Sequence, residues 1–285
     1  MTSIISKALN DLNLQSKNIV EGIEYNKGKE EFTFNWKSDN KMDALCLSSN
    51  DLYESVFEGN VYYYGYQLNK NVRYSSNLIR WLKEHSDNED ILTNIRIMIS
   101  KAVKGLGKEI SLSDLRVCIY PDYSTNNVLK ELRESIFNLT KQADVSFYST
   151  IKNLPIDVRF NQTLYEDDKP QIYKSGNKQI IEDDRKRVSK YMEEIHNMET
   201  FHISKTRFKP DERKYLSNFL ILKDEKAEKT LEELLESNEV LIIDDCLTSG
   251  TTMNELIRIV RKFNLDCDII IFSLINGKNK YDVRG

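Results

Sequence analysis

Glycine and proline are scarce in this sequence, at ten and four of 285 residues, and no internal repeat stands out. With hydrophobic residues at 40% and aromatics at 10%, that scarcity excludes a disordered chain and leaves one able to bury a sizeable core. Cysteine is scarce as well. Its four copies, Cys46, Cys118, Cys246 and Cys267, lie far apart in apolar runs without Cys-x-x-Cys spacing, so buried free thiols are expected in place of disulfides or a zinc site. The three histidines, His85, His196 and His202, lack metal-ligand spacing, and surface or hydrogen-bonded structural places are expected for them. No charge sign dominates. Forty-one basic against 45 acidic residues leave a formal charge of -4, which offers no general attraction to nucleic acid or to an acidic membrane. Long apolar runs are missing too, so nothing spans a bilayer, and the first ten residues read as an amphipathic helix rather than a signal peptide. Together these absences predict a cytoplasmic protein with no membrane partner and no indicated nucleic-acid partner.

What is present is an alternation of apolar, strand-like runs with segments of helical period, the mark of an α/β fold built on a central, mostly parallel sheet flanked by helices. Residues 1–85 look different. They hold a helix near 3–14 and extended pieces at 31–36, 43–47 and 61–66, read as an N-terminal α+β addition, a hood or a set of added edge strands. Residues 86–285 form the main domain. In it Ile91, Leu92, Ile95, Met98, Ile99 and Val103 mark a helix that Gly105 and Gly107 are expected to stop. A strand at 115–120, a loop, a helix marked by Val128, Leu129, Leu132, Ile136 and Leu139, and a strand at 145–148 make one βαβ crossover. Residues 157–211 are polar and charged around a helix near 185–198, which reads as a long insertion and a candidate cover. Strands at 218–222, 240–243 and 267–274, with helices at 227–237 and 253–263, complete the chain.

The run 240–252, VLIIDDCLTSGTT, carries the chemistry. Val240, Leu241, Ile242 and Ile243 form a buried strand, and Asp244 and Asp245 stand at its carboxyl end, where open α/β sheets bind ligands. Thr248, Ser249, Gly250, Thr251 and Thr252 then offer hydroxyl donors, a glycine that admits a phosphate close to the backbone, and N–H groups at a helix start. Thr252 and Glu255 fit a capping box there. Carboxylates would repel a phosphate, so the acid pair suits sugar hydroxyls and a divalent cation neutralising a nearby pyrophosphate. Two rivals fail. A phosphoacceptor receiver domain needs more βα units than the forty residues after Asp245 allow, and a Walker-type ATPase needs a Gly-x-x-x-x-Gly-Lys-Ser/Thr run that is missing.

The run resembles the fingerprint of type I phosphoribosyltransferases, an apolar strand leading to two acidic residues and a Thr/Ser-Gly-Thr loop. The resemblance implies a type I phosphoribosyltransferase-like fold in which Asp244 and Asp245 contact ribose hydroxyls at the catalytic centre and residues 248–252 hold the 5-phosphate. It further implies a pyrophosphate loop after an early strand, where Tyr120, Pro121, Asp122, Tyr123, Ser124 and Thr125 stand in this sequence. That loop has no Lys or Arg, so Ser124, Thr125, backbone N–H groups and Mg²⁺ would hold the pyrophosphate. A weaker likeness, over residues 205–219, points to the competence-associated phosphoribosyltransferases, though their cysteine-rich metal module is not visible here. The basic residues Lys205, Arg207, Lys209, Arg213 and Lys214 are either a solvated face or a lid whose Lys205, Arg207 and Arg213 close over pyrophosphate. The tyrosines Tyr62, Tyr63, Tyr64 and Tyr66 are expected to pack in a strand more than to stack on bases.

The implied activity is Mg²⁺-dependent phosphoribosyl transfer from 5-phosphoribosyl-1-pyrophosphate to an unidentified nitrogen acceptor, a step of nucleotide metabolism. Mg²⁺ would be held mainly by the ligand near Asp244 and Asp245, with no direct metal site. The other reading is a catalytically weak module that senses a nucleotide or phosphoribosyl ligand and acts through a partner protein, with homo-oligomerisation open in either case.

Overall fold

A computed structural model describes residues 22–26, 31–35, 45–47, 52–68, 77–122, 126–224, 227–235 and 239–277. The expected helix near 3–14, together with Tyr123, Ser124 and Thr125, lies outside the described residues. Strands β1 (Gly22–Asn26) and β2 (Glu31–Asn35) form a separate antiparallel ribbon. Next come β3 (Leu45–Leu47), β4 (Tyr53–Phe57) and β5 (Asn60–Leu68), then helices α1 (Leu78–Glu84) and α2 (Glu89–Glu109). The crossover expected from the sequence follows as β6 (Leu115–Pro121), α3 (Asn127–Thr140) and β7 (Ser146–Lys152). Beyond it lie β8 (Arg159–Phe160), α4 (Gln162–Asp167), α5 (Pro170–Tyr173), α6 (Lys178–His196), β9 (Leu216–Ser217) and β10 (Leu220–Leu222). The chain continues through α7 (Ala227–Leu234), β11 (Glu239–Leu247), α8 (Thr251–Phe263) and β12 (Ile269–Asn276).

The fold is α/β, with an eight-stranded sheet in the order β10-β7-β6-β11-β12-β5-β3, to which β4 is added on β5. The five strands from β7 to β5 run parallel to one another, and β10, β3 and β4 pair antiparallel at the margins. The sheet therefore carries on across the boundary near residue 85, because β3, β4 and β5 belong to it. Tyr62, Tyr64 and Tyr66 are buried in β5, and the Tyr62 hydroxyl meets Ser273 Oγ of β12 at 2.6 Å, so these rings are strand packing.

Helices on both faces explain why β11 reads as a continuous apolar run rather than an alternating one. Val240 and Ile242 enter one core cluster while Leu241 and Ile243 enter the other. The stop expected at Gly105 and Gly107 does not occur, since α2 continues to Glu109. Those glycines serve close packing instead: a Cβ on Gly105 would meet the Leu52 side chain at 3.0 Å, and one on Gly107 would meet Leu139 at 2.8 Å.

The long polar insertion between β7 and β10 is more firmly packed than its charge density predicts. Tyr165, Phe201, Phe208 and Tyr215 are buried within it, and the Phe160 and Phe208 rings stack at 4.9 Å. Its charges satisfy one another: Arg187 reaches Asp184 at 2.9 Å and the buried Glu212 at 3.0 Å. Its main helix starts earlier than expected, with Asn177 capping the Ile180 N–H. Among the described residues no helix is long and apolar enough to cross a membrane.

Candidate functional site

Because β11 is flanked by β6 and β12, its carboxyl end lies in the middle of the sheet; the strand runs on to Leu247, so the acid pair lies inside its last four residues rather than beyond a strand ending at Ile243. Both carboxylates line a cavity of about 340 Å³. They are more enclosed than an open strand end would leave them, with Asp244 at 5% and Asp245 at 4% exposure. The enclosure comes from two elements outside the fingerprint. Helix α1 sends the Lys83 ammonium to Asp245 Oδ2 at 2.8 Å. Asn126, which caps α3 by accepting the Leu129 N–H, donates its side-chain amide to the same oxygen. Asp244 Oδ1 in turn accepts the Asp245 backbone N–H at 2.9 Å.

Burial, and then the charge of Asp245, push the Asp244 carboxyl well above the usual carboxylate range. For Lys83 burial opposes the charge, yet the Asp245 and Asp244 carboxylates outweigh it and hold the ammonium protonated above the ordinary lysine range. Burial and then the Asp245 charge push the half-buried Cys246 thiol beside them well above the ordinary thiol range. Cys118 and Cys267 are likewise free and buried.

The loop after β11 has a definite geometry. Gly250 sits at φ 79°, ψ 0°, the left-handed region that favours glycine, and stands at the N-cap of α8. The capping box expected from Thr252 and Glu255 does not form. The helix starts two residues earlier, with Gly250 at its N-cap, and Glu255 turns inward to accept the Leu220 N–H at 3.4 Å and to pair with Arg258 at 2.8 Å. Gly250 has no side chain to cap α8, and the Thr251 N–H at its start meets Ser249 Oγ at 3.5 Å, so the positive dipole end of the helix is only lightly covered. The Ser249 and Thr251 hydroxyls meet at 2.9 Å beside them. Thr248, Ser249, Thr251 and Thr252 all line the cavity that holds the acid pair.

The cationic run is divided. Arg213 lines the cavity, with its Nε donating to the Phe208 carbonyl at 3.1 Å. Arg207 is paired to Glu194 at 3.1 Å and is not among the lining residues. Lys205 is exposed, and its charge acts on Lys152 and His202. Lys83, Lys152 and His202 line the cavity without having been singled out as ligand-binding in the sequence. They come from α1, the end of β7 and the insertion, and a chain-local motif carries no trace of them. His85 and His196 have structural places, meeting the carbonyls of Trp81 and Val158.

The chemistry tests the fit of a divalent cation. Among the described residues no group of three or more His, Cys, Asp or Glu side chains could hold one. Lys83 and Asn126 share one Asp245 oxygen, which leaves the other carboxylate oxygens of the pair for a ligand or a ligand-held cation.

The central strand of a parallel sheet thus carries an acid pair near its carboxyl end and leads through a glycine at positive φ into a helix N-terminus, the place where open α/β sheets present their ligand crevice. Residues 186–284 match the family model of the phosphoribosyl transferase domain. The match covers the acid pair, the loop and α8. No curated protein matches the sequence. Two crystal forms, tetragonal and orthorhombic, of a hypoxanthine phosphoribosyltransferase from Staphylococcus aureus are similar at 13% identity, over 64% of this chain and 62% of that one. Their TM-score of 0.31 is too low to carry an argument. These matches do not distinguish the competence-associated subtype.

Proposed function

We propose that the protein transfers a phosphoribosyl group from 5-phosphoribosyl-1-pyrophosphate to a nitrogen acceptor, as a cytoplasmic step of nucleotide metabolism. The observation that carries this reading is the loop at 248–252, where a glycine at positive φ opens α8 toward the cavity that also holds both aspartates. In this reading Thr248, Ser249, Thr251 and Thr252, with the backbone at Gly250, hold the 5-phosphate. Asp244 and Asp245 accept hydrogen bonds from the ribose hydroxyls through the oxygens left free by Lys83 and Asn126. Ser124 and Thr125 belong to the proposed pyrophosphate loop, Lys205 is the proposed pyrophosphate cation on the insertion side, and Arg213 lines the cavity next to the sugar. Arg207 joins them only by leaving Glu194.

Departure of pyrophosphate leaves positive charge on the ribose, so the protein's task is to fix the sugar, accept the leaving group and exclude water. Mg²⁺, carried on the ligand's own oxygens, would supply charge neutralisation for the leaving group. Lys83 stands beside the acid pair as a protein cation. The test is release of pyrophosphate by the purified protein from the donor with a panel of nitrogenous bases. Steady turnover with at least one base supports the reading.

One observation favours the second reading, a catalytically weak module that senses a phosphoribosyl ligand or nucleotide. Lys83 already occupies one oxygen of the acid pair, which lowers the capacity left for sugar. Tight nucleotide binding without pyrophosphate release from any base would favour it.

A further inference from the structure

Next to the acid pair the cavity is lined by a second set of groups. Lys152 ends β7, His202 and Arg213 come from the insertion, and Phe201, Ile203 and Phe219 lie among them. The Lys152 ammonium meets His202 Nδ1 at 3.0 Å, so His202 acts as an acceptor and not as a second cation. Burial lowers the ordinary ionisation range of both, with the Lys152 and Lys205 charges adding to it for His202 and the Lys205 charge for Lys152. Burial does the same to Arg213. Among the described residues no carboxylate lies within ion-pair distance of Lys152 or Arg213, although the half-buried Lys169 and Arg187 of the insertion each have one. A chain that pairs Arg187 and Lys169 but leaves Lys152 and Arg213 without a carboxylate beside a cavity holds a place for an external anion.

Which anion fits is decided by the company the cations keep. Strand β7 lies two places from β11 in the sheet, so Lys152 stands at about 10 Å laterally from the acid pair by the usual strand spacing. The phenyl and butyl surfaces of Phe201, Phe219 and Ile203 suit the faces of a flat ring and offer nothing to a diphosphate. A planar guanidinium such as that of Arg213 suits a carboxylate. We infer that the acceptor of this phosphoribosyltransferase is a planar nitrogen heterocycle bearing a carboxylate, held by Lys152 and Arg213. This rests on the phosphoribosyl-transfer reading, and names the substrate class that the reading leaves open.

The test compares nucleotides that share a phosphoribosyl group and differ at the acid. Calorimetry of the full chain with orotidine 5′-monophosphate against uridine 5′-monophosphate, and with nicotinate against nicotinamide mononucleotide, isolates the carboxylate. In at least one pair the acidic member should bind about tenfold or more tightly, as expected for a charge-assisted contact. Lys152→Met or Arg213→Met should then bring the two affinities of that pair together. Equal binding within both pairs overturns the inference while leaving the phosphoribosyl reading standing. Equal loss of acidic nucleotide, neutral nucleotide and pyrophosphate in the variants also overturns it, and assigns the cations to phosphate. Failure of all four nucleotides to bind contradicts the phosphoribosyl reading itself, and the inference falls with it. Should the variants not fold, the two ratios in the parent protein decide alone.

Discussion

Gly250 is the residue at which backbone geometry and ligand chemistry meet. A side chain there would be forced into the left-handed region, at a cost of about 1–2 kcal/mol for a non-glycine residue, and would stand where the N–H groups of α8 open into the cavity. Gly250→Val should abolish binding of ribose 5-phosphate with little change in far-ultraviolet circular dichroism. Unchanged binding would place the phosphate elsewhere. The glycine could be read from the sequence because the Thr-Ser-Gly-Thr-Thr run is contiguous, but the cap could not. Glu255 satisfies the capping-box pattern equally well whether it turns back to the helix start or inward to Leu220, and tertiary packing chose the second.

Asp244 makes a prediction of opposite sign. Its carboxyl pKa is raised by burial and by Asp245, so the folded state holds that proton more tightly than the unfolded chain does. Its contribution to stability is therefore present below about pH 3.9, the unfolded value, and is lost as the pH rises toward and through the folded value. Asp244→Asn removes that loss. The variant should melt higher than the parent at pH 7, with a smaller gain at pH 4, as differential scanning calorimetry at the two pH values would show. A lower melting temperature at pH 7 would mean that the charged carboxylate is a net stabiliser.

At the scale of elements, the insertion departs most from what its composition suggests. Thirty per cent charged residues across the chain and weak local periodicity hide the packing of Tyr165, Phe201, Phe208 and Tyr215, because those rings meet across turns far apart in sequence. Glu212 holds the arrangement: at 2% exposure it accepts from Arg187, Lys169 and the Lys209 N–H. Burial opposes its charge, but Arg187 and the Lys209 N–H outweigh burial and hold its carboxyl below the usual range. Its stabilisation is thus present above the unfolded value of about pH 4.3 and is lost as the pH falls through the folded value. Glu212→Ala leaves Arg187 short of its buried partner and should cost about 3–5 kcal/mol by urea denaturation at pH 7. A cost within about 0.5 kcal/mol would show the network to be a solvated surface feature.

The same packing changes what hydrogen exchange should read. Helix α6 buries Val188 and Ile195 and is capped at both ends, so its amides should be protected in the free protein. Fast exchange throughout α6 without ligand, slowed only on adding donor, would restore the loosely held cover that charge density alone suggests.

For the whole molecule, legibility followed sequence separation. The parallel sheet, the central strand β11 and its acid pair were readable because each is a contiguous run whose chemistry is local. Lys83 and Lys152 were not, since a lone lysine on α1 or at the end of β7 looks like any solvated lysine until the sheet order brings 83, 152 and 245 to one cavity. The glycines of α2 misled for the same reason: the neighbours that require them, Leu52 and Leu139, lie on other elements.

The account as a whole requires that the acid pair and the loop after it bind one phosphorylated sugar together. Calorimetry of 5-phosphoribosyl-1-pyrophosphate with the parent protein and with the Asp244→Asn, Asp245→Asn double variant tests that most directly, with circular dichroism verifying the fold of each. The parent should bind, and the double variant should bind at least about tenfold more weakly, the loss expected when hydrogen bonds from sugar hydroxyls to charged acceptors are weakened. Equal affinity for the donor in the two proteins would contradict the assignment of the ribose to Asp244 and Asp245.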